Sequence, residues 1–181
     1  MVLAVPVPAN GVAGVDVTAA FWNAQVRDSA TFLVGRPHCV MYQNNVQSIV
    51  TATLTAILFD TNEVDSYSGH STVTNTSRYV AQVVGWYLCS GVVSYAANAT
   101  SYREALWVKN GSGSNVNGAS SLIPPVSVGG IGTSVPVPAR EIFLNVGDYV
   151  ELFAQHNTGG ALNTLVATGQ QSMATIRWSH S

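Results

Sequence analysis

Gly85-Trp86-Tyr87-Leu88-Cys89-Ser90-Gly91-Val92-Val93-Ser94-Tyr95 is the stretch from which the fold of this chain can be read. Along a β-strand, successive side chains point to opposite faces. Tyr87, Cys89, Val93 and Tyr95 therefore share one face, and Trp86, Leu88 and Val92 share the other. Apolar groups on both faces call for cover on both faces. The stretch predicts a strand in the middle of a β-sandwich.

Further strand-like runs flank it from Arg36 onward. They are Arg36 to Tyr42, Ile49 to Phe59, Arg78 to Val84 leading into the central strand, Ser101 to Lys109, Val135 to Leu144, Gly147 to His156, and Met173 to His180. Turn-rich segments separate them, and Asn110-Gly111 and Gly147-Asp148 mark tight reversals. Asp60 to Asn75 reads as a polar connection and Ser112 to Ile131 as a long loop of Gly, Ser, Asn and Pro. The pattern is all-β, a sandwich or barrel. The terminal strand is expected inside a sheet. Gly85 is expected to let another backbone approach or to let the strand bend.

Two segments precede this domain of residues 36–181. Residues 1–17, with Pro6, Pro8, Gly11 and Gly14 among valines and alanines, read as an extended arm. It either docks into a neighbouring subunit or lies on its own domain. Residues 18–35 read as a helix, with Thr18 as N-cap and Gly35 and Pro37 as its stop. Ala19, Trp22, Val26, Ser29 and Leu33 form a short heptad seam. Fewer than three heptads cannot hold a coiled coil alone. The helix packs on its own domain or bundles with copies about a symmetry axis.

Composition narrows the function. Only 9% of the 181 residues are charged, against about 25% in an ordinary soluble domain. Lys109 is the single lysine. So little charge suits a protein in an assembly rather than a free monomer. A net charge of −2 without a basic cluster argues against nucleic acid. No apolar run reaches the roughly 18 residues that span a membrane, and the N-terminal stretch lacks a basic region of signal-peptide type. Cys39 and Cys89 read as buried thiols.

Taken together, residues 36–181 resemble the jelly-roll family of complement globular heads and tumour necrosis factors. The resemblance is carried by Phe59 with Asn62 and Asp65, by Gly85-Trp86-Tyr87 opening a strand that ends at Tyr95, by Leu106-Trp107-Val108-Lys109-Asn110-Gly111, and by Leu144 to Leu152. It departs from the family at the last strand, where Met173, Ala174 and Thr175 stand in place of the usual phenylalanine and glycine. The resemblance implies a jelly-roll β-sandwich and a homotrimer. Trp22, Val26, Leu33, Tyr87, Tyr95, Tyr149, Phe153 and Trp178 are the interface candidates, the last five being alternatively core residues.

A second resemblance covers about a dozen residues. Val17-Thr18-Ala19-Ala20-Phe21-Trp22-Asn23-Ala24-Gln25-Val26-Arg27-Asp28 looks like a segment near the start of virion proteins of phages that infect actinobacteria. It implies a virion protein, made in the host cytoplasm and assembled into the particle. Such a protein sits at the tail tip or fibre and recognises the host surface, or decorates the capsid through its arm and helix. For contact with cell-wall glycan the candidates are Tyr67, Trp107, Asn115 and Asn117. A particle-borne carbohydrate-cleaving enzyme is a weaker alternative. The chain shows no Gly-x-Ser-x-Gly elbow, and no catalytic residue is assigned. No cofactor is implied. Asp60, Asn62, Glu63 and Asp65 could supply oxygens to calcium, although their spacing is not that of a calcium loop. His38, His70, His156 and His180 show no metal-ligand spacing.

Overall fold

A computed structural model describes residues 4–7, 14, 16–111, 113–126 and 130–181. Most of the expected arm lies outside the described residues. Of its described part, Val5 packs half-buried against the domain's own core.

The helical segment is continuous in three pieces: α1 (Ala19–Trp22), a π-helical stretch (Asn23–Arg27) and α2 (Asp28–Val34). Thr18 Oγ1 accepts from the Phe21 backbone N–H at 3.2 Å, capping the start. Gly35 caps the other end, its N–H bonded to Thr31 O at 2.9 Å.

Twelve strands follow: β1 (His38–Tyr42), β2 (Ser48–Ile49), β3 (Thr55–Ala56), β4 (Thr61–Asp65), β5 (Arg78–Val80), β6 (Gly85–Tyr95), β7 (Arg103–Lys109), β8 (Asn115–Ile123), β9 (Thr133–Leu144), β10 (Tyr149–His156), β11 (Leu162–Asn163) and β12 (Met173–His180). The first sheet runs β4-β1-β12-β6-β9 and the second β3-β10-β7-β8, with β5 also paired to β10. The strand pairings within both sheets are antiparallel. The central stretch lies between β12 and β9, as expected. The last strand lies between β1 and β6, and its Ala174, Ile176 and Trp178 point into the core.

Three expectations are corrected. The run from Ile49 to Phe59 is not one strand. Its chain turns at Thr51-Ala52, where Ala52 takes φ of 54°, and only short ladders form on either side. The polar connection after Asp60 contains β4, and the long loop contains β8. Both are edge strands, so neither needs strong apolar alternation.

The core between the sheets is made by the inward residues of both. Met41, Tyr87, Cys89, Tyr95, Trp107 and Leu152 are each fully buried. Gly85 is required where it stands. Its φ is 147°, and a side chain there would strike the Trp178 indole and the His180 carbonyl. Cys39 and Cys89 both sit opposite Ile176, one on either side of β12. Two strand spacings of about 4.8 Å hold them too far apart for a disulfide, and both are free thiols. Burial, and then the Asp65 charge, push the Cys39 thiol up to about 12. Burial also pushes Cys89 up.

Candidate oligomer interface

The inward side of the first sheet is sealed, whereas its outward side is not. On β6, Tyr87 is fully buried while its neighbour Trp86 is 38% exposed. On β9, Ile142 and Leu144 turn inward and Phe143 turns out. On β12, Met173 is exposed and Ala174 buried. The pairing aligns these outward groups into patches. Trp86 lies opposite Phe143 on one side and His180 on the other. Its ring stands edge-on to Phe143 at 5.6 Å and stacks on His180 at 6.0 Å. His180 Nε2 is 3.8 Å from Glu141 Oε2.

Further along the same face is a groove of about 490 Å³ lined by Val40, Tyr42, Glu63, Val92 and Met173. Val92 pairs with Met173, and Met173 pairs with Tyr42, so three strands build one apolar row. Leu88, Arg177 and Glu141 lie between the patches, Leu88 opposite both of the others.

The helix adds a second uncovered apolar surface at the Trp86 end of the sheet. Phe32 anchors it, its ring edge-on to Trp178 at 4.9 Å. Phe32 is the one buried residue of the helix; Phe21, Trp22, Val26 and Leu33 remain exposed. The π-helical stretch falls between Trp22 and Arg27, within the heptad seam, and shifts its phase locally.

No protein-family model and no curated protein matches the chain. Solved structures do. Murine APRIL at pH 5.0 superposes with a TM-score of 0.56 at 12% identity, over 78% of this chain and 98% of that one. Eiger TNF from S. frugiperda gives 0.52 at 15% identity, over 81% and 96%. The globular domain of zebrafish complement 1qA gives 0.50 at 11% identity, over 81% and 100%. The fold is a jelly roll of the tumour necrosis factor and C1q kind.

Within that jelly roll, the interface candidates divide. Trp22, Val26 and Leu33 are exposed, as an interface requires. Tyr87, Tyr95 and Trp178 are instead core residues with satisfied polar ends. Tyr87 donates to Val83 O at 2.7 Å, Trp178 Nε1 to Val84 O at 3.1 Å, and Tyr95 to Gln155 O at 3.1 Å. Tyr95 thereby ties the first sheet to the second. Phe153 lies on the outward side of the second sheet, buried with Leu106 and Val108. Tyr149 is half-buried beneath the Arg78 guanidinium. The outward set on the first sheet comes from the other parity of the same strands. Trp86, one position from Tyr87 in the opening stretch, was the available signal.

The ligand candidates divide as well. Tyr67 and Trp107 are buried, 4% and 0% exposed, and cannot meet a glycan. Asn115 and Asn117 are exposed and line a polar groove of about 560 Å³ with Lys109, Arg140 and Phe143. Lys109 is already engaged there, donating to Phe143 O at 2.8 Å and pairing with Asp148 at 2.9 Å.

The calcium candidates do not converge. Asp60 accepts from the backbone N–H groups of Asn44 and Asn45, each at 2.8 Å. Burial alone would raise its carboxyl, but these bonds and those from Asn45 and Thr61 side chains outweigh it and hold it low. Asp65 accepts from Gly69 and His70 backbone N–H, and Asn62 Oδ1 meets the His70 ring at 2.6 Å. Glu63 points away onto the outward face of the first sheet.

Proposed function

We propose that the chain is a homotrimeric structural module of a bacteriophage virion, placed at the tail tip or fibre, where it recognises the host cell surface. The observation that carries the trimer is the uncovered apolar face of the first sheet, continued by the exposed stripe of the helix. A trimer closes by a heterologous contact repeated about a threefold axis, so each copy needs such a surface. The jelly-roll neighbours and the low charge support the same reading. The virion assignment is supported by the segment from Val17 to Asp28.

A second reading is a capsid decoration protein. The exposed Trp22, Val26 and Leu33 favour it, because they leave an apolar stripe of the helix open to a shell. Antibody-gold labelling of intact virions separates the two. Gold at the tail end supports host recognition. Gold over the head assigns the helix to the shell.

A further inference from the structure

The outward side of the second sheet carries, at its β5 edge, a polar cavity of about 450 Å³. That volume lies within the range of small-ligand sites, about 300 to 1,000 Å³. Its lining is neutral apart from Arg78. Ser68, Ser71 and Asn75 come from the loop before β5, Gln82 from just after it, and Tyr149 from β10.

Arg78 is held from two sides. Its guanidinium carbon lies 4.2 Å from the centroid of the Tyr149 ring. Behind it, Glu151 stands opposite Arg78 in the ladder and is 4% exposed. Glu151 Oε1 accepts from Ser77 Oγ at 2.6 Å and from Arg78 Nε at 3.4 Å. The two terminal amines of Arg78 make no hydrogen bond to the described residues. Its side chain is 37% exposed.

A guanidinium fixed in this way presents a planar fork that suits a carboxylate or phosphate. Hydroxyls and amides around it suit the hydroxyls of a sugar ring. We infer that this cavity binds an acidic saccharide unit, a sugar bearing a carboxylate or a phosphate. Arg78 grips the anion, and Tyr149 and Glu151 keep Arg78 in place. The cavity lies on the second sheet, so trimerisation through the first leaves three copies open and raises avidity. The inference deepens the host-recognition reading and rests on it only for the biological source of the saccharide.

The test is saturation-transfer difference NMR on the full chain with glucuronate and glucose 6-phosphate as probes and glucose as the neutral control. Either anion is expected to give signal where glucose gives little, and the stronger of the two identifies the charged group. R78Q is expected to weaken that signal about tenfold, and R78K several-fold, because an ammonium keeps the charge but loses the fork. Q82L, which leaves the Arg78–Glu151 pair intact, is expected to weaken it a few-fold. Equal signals from glucose and both anions overturn the inference, as do R78K signals matching the wild type. Sugar binding together with virion gold over the head leaves the site standing and removes the host-recognition reading. Gold at the tail end without sugar binding does the reverse.

Discussion

The outward faces of the two sheets each carry an apolar patch, and the chain treats the two patches differently. On the second sheet, Leu106, Val108 and Phe153 are 4%, 0% and 6% exposed, with Leu54 and Ala56 packed against them. On the first, Trp86, Phe143 and Met173 are each more than a third exposed among the described residues. A residue buried by its own chain contributes to folding, at about 25 cal/mol per Å² of apolar surface removed from water. A residue left open contributes only when a second molecule arrives. The difference between the faces therefore divides intramolecular stability from assembly.

Substitutions on each face can break that division. The largest expected effect on folding is on the covered face. F153A should cost about 3 kcal/mol in urea unfolding, through lost burial and the cavity left behind, without changing the solution mass of the folded protein. Next is the turn between β9 and β10. Asp148 accepts from the Asn145 backbone N–H at 2.9 Å, from Asn110 Nδ2 at 2.9 Å and from Lys109 Nζ at 2.9 Å. The Asn145 bond first, then those from Asn110 and Lys109, hold its carboxyl well below the usual range. A lowered folded value adds stability that is full above the unfolded pKa, about 4, and is lost as pH falls through the folded value. D148A should cost about 1–2 kcal/mol at neutral pH and flatten the stability profile below about pH 4. The smallest effect on folding belongs to the open face. W86S should cost about 1 kcal/mol of monomer stability, through the lost ring contacts with Phe143 and His180, yet shift the oligomer toward monomer in analytical ultracentrifugation. A loss of several kcal/mol from W86S with no change in mass would erase the distinction between the faces.

Much of this architecture was legible because buried strands carry alternation. The opening stretch sorted Tyr87, Cys89, Val93 and Tyr95 onto one face, and all four are fully buried together. The last strand was legible to its ends. Edge strands were not. Thr61 to Asp65 has a single apolar residue, Val64, and Asn115 to Ile123 buries only Ala119. The run from Ile49 to Phe59 alternates like a strand, but the positive φ of Ala52 breaks it. Of the interface candidates, the helix residues Trp22, Val26 and Leu33 lie exposed. On the strands, aromatic character pointed to Tyr87 and Tyr95, whose hydroxyls instead bond backbone carbonyls inside the sandwich. When both parities of a strand are apolar, the pattern alone cannot say which of them its own chain will cover. Arg78 was overlooked because its partners, Tyr149 and Glu151, are some seventy residues away and meet it only through the ladder between β5 and β10.

The most direct measurement is the solution mass of the purified full-length chain at micromolar concentration. The expected result is three times the 19.0 kDa chain mass, falling toward one chain in W86S. A single species of 19.0 kDa would contradict the trimer and leave the open face of the first sheet unexplained.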